Sequence, residues 1–106
     1  MTHLVAVTAC PSGVAHTYMA AEAIEHAVKA KGWTCKVETQ GSIGIENELI
    51  KDDVAAADVV ILTKDIDVQG QERFEGKLIV RIGVSDAVKR AAAVLDKIET
   101  HLQETA

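Results

Sequence analysis

The chain has 106 residues, enough for one domain with one core and too few for two. With 48% hydrophobic and 25% charged residues and a formal net charge of -5, it has the composition of a globular domain. It lacks the cationic surplus that binding to a phosphodiester backbone requires. No stretch approaches the roughly 20 apolar residues of a membrane-spanning helix, and the opening residues have neither the cationic head nor the apolar run of an export signal.

In chain order, residues 4–9 (Leu-Val-Ala-Val-Thr-Ala) form an apolar run that stops before the only proline, Pro11, which predicts a strand buried on both faces of a parallel sheet. From Ala15 to Lys31, Met19, Ala20, Ala23, Ile24 and Ala27 recur at helical spacing, and Gly32 supplies a stop. Residues 34–39 alternate as a second strand, after which Gly41, Ser42 and Gly44 open a polar loop. A short helix is expected over Lys51–Ala57. Two further strands follow, at 59–62 and 78–82, separated by a charged stretch through Asp65, Glu72, Arg73 and Glu75 that reads as surface loop or a single turn. Ser85 suits an N-cap and Asp86 a first turn, and Val88, Ala91, Leu95, Ile98 and Leu102 give the last helix one apolar stripe.

Alternating strands and helices predict a single three-layer α/β domain over residues 1–106, with a central, mostly parallel sheet of four strands and helices on both faces. The first strand should be central. Ligands of such sheets gather at the carboxyl ends of the strands, where a loop beginning at Cys10 would lie.

That loop, Cys10-Pro11-Ser12-Gly13-Val14-Ala15-His16-Thr17, joins a buried strand to a helix and carries the chemistry of an anion cradle. Gly13 permits a tight turn, the first helical amides lack intrahelical acceptors, and the helix N-terminus favours negative charge. Ser12 and Thr17 add hydroxyl donors. The same field favours the Cys10 thiolate, the nucleophilic form, so Cys10 is the candidate nucleophile and His16 a supporting group. A buried, purely structural Cys10 is the competing reading, but a core cysteine needs no proline, glycine and hydroxyl cluster after it.

Low-molecular-weight phosphatases also place a cysteine after the first strand, followed by five residues, an arginine and a hydroxyl residue. Here the five residues lead to His16 and Thr17, and no lysine or arginine precedes Lys29. Without the bidentate clamp of an arginine, hydrolysis is disfavoured, whereas a loop of amides and one histidine could hold phosphocysteine. A phosphatase or arsenate-reductase-like enzyme and a non-catalytic anion-binding regulatory module remain the alternatives.

The segments Ala9 to Glu22, Val37-Glu38-Thr39-Gln40-Gly41-Ser42 and Glu72-Arg73-Phe74-Glu75-Gly76-Lys77 together resemble the fructose-type enzyme IIB family of the bacterial sugar phosphotransferase system, over nearly the whole chain. The resemblance implies a four-stranded parallel sheet and a phosphocysteine at Cys10, with phosphate arriving from a phosphohistidine of enzyme IIA. It leaves for a sugar, fructose or fructose-like, bound by the membrane component IIC. A stand-alone subunit or excised domain without a cofactor is expected, working in the cytoplasm at the inner face of the membrane.

Other residues receive plainer readings. Glu38, Gln40 and Ser42 should lie near the same sheet edge, bracing the loop or meeting a partner. Arg73 and Lys77 could supply cations to the loop, but a solvated turn paired locally with Glu72 or Glu75 is preferred. Cys35 is expected to be structural. His3, His26 and His101 lack metal-ligand spacing and are expected at the surface.

Overall fold

In the computed structural model, which describes residues 2–9, 14–41, 44–65, 68 and 70–105, the elements follow as β1 (His3–Ala9), α1 (Val14–Ala30), β2 (Thr34–Gly41), β3 (Gly44–Glu46) and α2 (Lys51–Ala56). They continue as β4 (Val59–Thr63), a 3₁₀ turn (Gln71–Phe74), β5 (Ile79–Ile82) and α3 (Val84–Thr105). The sheet order is β3-β2-β1-β4-β5, with β1 central as expected. β1, β2, β4 and β5 run parallel, and β3 returns antiparallel along the outer edge of β2, pairing Thr39 with Glu46 and Gln40 with Ile45. The sheet therefore has five strands and is mixed, not four-stranded. The added strand has only three residues, Gly-Ile-Glu, all exposed, so no apolar alternation marks it.

The apolar runs of β1 and β4 are buried on both sides, which is why they show no alternation. One face carries Leu4, Ala6, Val37 and Ile61 against Ile24 and Val28 of α1 and Leu95 and Ile98 of α3. The opposite face carries Val5, Val7, Val60 and Leu62 against Leu49, Val54 and Phe74. These are the three layers expected.

Helix ends follow local chemistry at one point and long-range chemistry at another. Gly32, at φ 76°, stops α1: its N–H reaches the Lys29 carbonyl at 3.0 Å, and the Trp33 N–H reaches Val28 at 3.1 Å. This paired closure needs a left-handed residue, which glycine adopts freely. α3 begins two residues earlier than expected. Gly83 is its N-cap, with its carbonyl accepting from the Ala87 N–H, and Ser85 lies exposed inside the first turn. The Asp65 carboxylate, arriving from the end of β4, accepts the Val84 N–H at 3.2 Å and takes the capping role.

The charged stretch after β4 does form a single turn, but not a solvated one. Phe74 is fully buried beneath the sheet, and Lys77 Nζ donates to the carbonyls of Ala55 and Ala57 at the end of α2.

Candidate functional site at the carboxyl end of the sheet

The six buried polar residues found among those described are Thr8, Thr17, Glu38, Thr39, Gln40 and Thr63. All belong to the carboxyl halves of β1, β2 and β4 or to the first turns of α1. The amino halves of β1 and β4 carry Leu4, Val5 and Ala6 and Val59 and Val60, all aliphatic and buried. Buried polar groups are costly unless bonded, so their confinement to one end marks that end as a site and not as ordinary core.

The bonding there is specific. The Thr8 hydroxyl donates to the Thr17 carbonyl at 3.1 Å, tying the start of α1 to the end of β1. The Thr63 hydroxyl accepts from the Ala9 N–H at 2.9 Å and donates to the Ala9 carbonyl at 3.0 Å. Tyr18, one residue further along α1, donates its phenol to Glu46 of β3; the carboxylate raises the phenol pKa by that hydrogen bond. Helix α1 is thus anchored to the sheet on two sides of its first turns.

On the other face, Glu38 is fully buried and accepts four hydrogen bonds. Two come from the Arg73 guanidinium, at 2.8 and 2.7 Å, one from the Leu49 N–H at 2.8 Å and one from the Gln40 amide at 2.7 Å. Burial pushes the Glu38 pKa up, but the Arg73, Leu49 and Gln40 bonds and the Arg73 charge together outweigh it and hold the carboxyl below its ordinary value. Arg73 also donates to the Leu49 carbonyl at 2.9 Å and stacks on the Phe74 ring. The expected local pairing with Glu72 or Glu75 is therefore replaced by a pair spanning two elements. A rigid fork facing a planar carboxylate makes a better match than a flexible neighbour on an exposed turn. In register, Val7 lies beside Glu38 and Ala9 beside Gln40, so this cluster flanks the strand end that leads to Cys10.

Cys10, Pro11, Ser12 and Gly13 lie outside the described residues, as does Ser42. The backbones of Val14, Ala15 and His16 open α1, while their side chains are likewise outside the description. Thr17 is buried, and its hydroxyl has no hydrogen-bond partner among the described residues. Sequence reading singled out Thr17 but missed Thr63, whose only signal is a hydroxyl residue closing an otherwise aliphatic run. Cys35 sits partly buried against the α1 face, where burial first and Glu25 second raise its thiol pKa against the opposing charge of Lys29. His26 and His101 are exposed; His3 is half-buried, with Nδ1 2.8 Å from the Thr34 hydroxyl.

A family model described as PTS system, lactose/cellobiose specific IIB subunit, matches residues 5–97. The chain is 71% identical to the PTS system fructose-like EIIB component 2 of Escherichia coli (strain K12) over 106 residues, covering all of both chains. It is 53% identical over 94 residues to the PTS system fructose-specific EIIB'BC component of the same strain, covering 89% of this chain and 16% of that protein. The solution structure of an enzyme IIB subunit of the PTS system from Escherichia coli K12 superposes with a TM-score of 0.92 at 39% identity, covering 98% of this chain and 96% of that one. The descriptions name different sugars and agree on the component. The chain belongs to the fructose-like enzyme IIB components of the sugar phosphotransferase system, whose work is phosphoryl transfer in sugar uptake.

Proposed function

We propose that this chain is the phosphocysteine carrier of its system: Cys10 accepts phosphate from a phosphohistidine of enzyme IIA and passes it to a sugar, fructose or fructose-like, bound by enzyme IIC. The observation that carries this reading is the confinement of the described buried polar residues to the end of the sheet where β1 ends at Ala9, with Thr17, whose hydroxyl has no partner among the described residues, one of them. Relatives in which a matching IIB segment forms one part of an EIIB'BC protein support a working partnership with IIC.

In the first step the Cys10 thiolate attacks phosphorus, an S–P bond forms, the P–N bond of the donor breaks, and the imidazole leaves neutral after taking a proton on its other ring nitrogen from the donor side or solvent. In the second a sugar hydroxyl attacks, an O–P bond forms, the S–P bond breaks and the thiolate is restored, the hydroxyl proton passing to a base on the acceptor side. Both steps are governed by positioning and charge stabilisation. Pro11, Ser12, Gly13, Val14, Ala15, His16 and Thr17 form the phosphate cradle in this reading. The amides opening α1 favour the anion, hydroxyls donate to its oxygens, and His16 supports it. The chain needs no cofactor or metal for this chemistry. None of the described helices is long and apolar enough to cross a membrane, in keeping with a cytoplasmic domain that meets IIC at the inner face.

The test is to mix the purified chain with a phosphorylated IIA protein and map the modified peptide by mass, beside Cys10→Ser and Cys35→Ser. Phosphate on Cys10, lost only in Cys10→Ser, is expected. Phosphate on a histidine, or none from several donors, would overturn the reading in favour of an anion-binding module.

A further inference from the structure

Strand β4 leaves β1 at Thr63. Their register ends with Val7 beside Leu62, and the Lys64 N–H turns instead to the Ile82 carbonyl of β5. The N–H and C=O of Ala9 point to the same side of β1, as both groups of any strand residue do, and Ala9 has no exposure to solvent. These groups are served by one side chain, the Thr63 hydroxyl, which accepts from the first and donates to the second. An apolar residue of the same shape does neither. The Ala9 carbonyl belongs to the planar peptide unit whose nitrogen is that of Cys10, so pinning this oxygen orients that plane and the Cα of Cys10.

We propose that Thr63 is a positioning residue for phosphoryl transfer, fixing through Ala9 the peptide bond that leads into Cys10. The inference rests on the reading of Cys10 as the phosphoryl acceptor. Thr63 itself touches neither phosphate nor partner; it acts through one peptide bond. A thiolate held in register with the helix N-terminus is stabilised there, and one that drifts is not. Losing the hydroxyl should therefore lower Cys10 reactivity near neutral pH more than it harms folding. Serine, which keeps the hydroxyl and loses only a methyl group, should restore it.

The experiment compares Thr63→Val, Thr63→Ala and Thr63→Ser in a Cys35→Ser background, with urea unfolding to establish that each is folded. The alkylation rate of Cys10 by iodoacetamide is followed by intact mass from pH 5 to 9. The valine and alanine variants are expected to shift the profile to higher pH, with rates at pH 7 lower by about threefold or more, the change in thiolate fraction that roughly half a pH unit brings. Serine is expected to keep the starting profile. The alanine variant carries the test if the valine variant does not fold. Folded valine and alanine variants with an unshifted profile overturn the inference, as does a serine variant that behaves like valine. Phosphate transfer from phosphorylated IIA separates the two levels. If the background protein accepts phosphate on Cys10 and the valine variant does so equally fast, only the role of Thr63 falls. If the background protein accepts none on Cys10, the carrier reading falls and takes this inference with it.

Discussion

Replacing Arg73 by methionine should destabilise the domain severely, and the size of the effect follows from what the change leaves behind. Glu38 is fully inaccessible and Arg73 only partly so, with 21% of its side chain exposed, so the carboxylate bears most of the desolvation. Methionine removes both guanidinium bonds and the compensating charge, leaving the Leu49 N–H and the Gln40 amide as donors. An uncompensated buried carboxylate costs about 3–5 kcal/mol. A domain of this size has roughly 5–15 kcal/mol in all, and the midpoint of thermal unfolding should fall by about 12 °C or more. The pair also predicts a pH signature. The folded pKa of Glu38 is depressed, so its stabilisation is complete above the unfolded value near 4.3 and is lost as pH falls through the lower folded value. Without Arg73, burial dominates, the folded pKa rises, and protonation relieves the variant. The gap between the two proteins should be widest at pH 7 and should narrow below about pH 4. Urea unfolding at pH 7, 5 and 3.5 measures this, with Glu38→Leu/Arg73→Met expected to recover most of the loss. A loss under about 1 kcal/mol, equal at all three pH values, would show that water screens the pair and that its burial has been misjudged.

Two further outcomes concern hydroxyl and thiol chemistry. Thr17→Val should leave stability within about 1 kcal/mol of the starting protein or raise it, because the hydroxyl lost is buried and unpartnered among the described residues. The same change should slow phosphate acceptance by about tenfold, one hydrogen bond's worth; a stability loss above about 2 kcal/mol would instead mean that the hydroxyl is bonded in the resting protein. Cys35, whose thiol pKa is raised by burial, should be alkylated at pH 7 at least about tenfold more slowly than Cys10, and equal rates of the two thiols in peptide mapping would contradict the assigned activation of Cys10.

The parallel frame was legible because each of its signals is local. The aliphatic runs at 4–9 and 59–62 read as buried strands, Gly32 read as a stop, and the stripe from Val88 to Leu102 read as a helix face. What escaped was decided by residues distant in sequence. β3 depends on its hairpin with β2 and has no pattern of its own. The cap of α3 comes from Asp65, nineteen residues before the amide it receives, so the nearer Ser85 looked like the better candidate. Glu72 and Glu75 beside Arg73 suggested a local pair, while the partner that the fold supplies is Glu38, thirty-five residues away. At the site, the cysteine loop was singled out by residue types and its first four residues lie outside those described, whereas the hydrogen bonds from Thr63 to Ala9 depend on the point at which two strands part, and that point is not written in either strand alone.

The buried polar residues connect these levels. The proposed carrier role requires a reactive sulfur that two partners reach in turn, and packing alone does not hold such a group. Rigidity must come from beneath, where hydrogen bonds in a water-free setting are strong and directional. Thr8 and Thr63 hold the backbone on either side of the loop's departure, and Glu38 with Arg73 and Gln40 stiffens the neighbouring strand end. The Thr8 and Thr63 hydroxyls and the Glu38 carboxylate are satisfied by bonds within the resting protein. Thr17 differs: it is equally buried, lies in the first turns of the helix that follows the loop, and has a hydroxyl unpartnered among the described residues. In the proposed role, a buried hydroxyl left open in the first turns of α1 suits a site awaiting an anion, since phosphate would relieve the cost of the unmade bond.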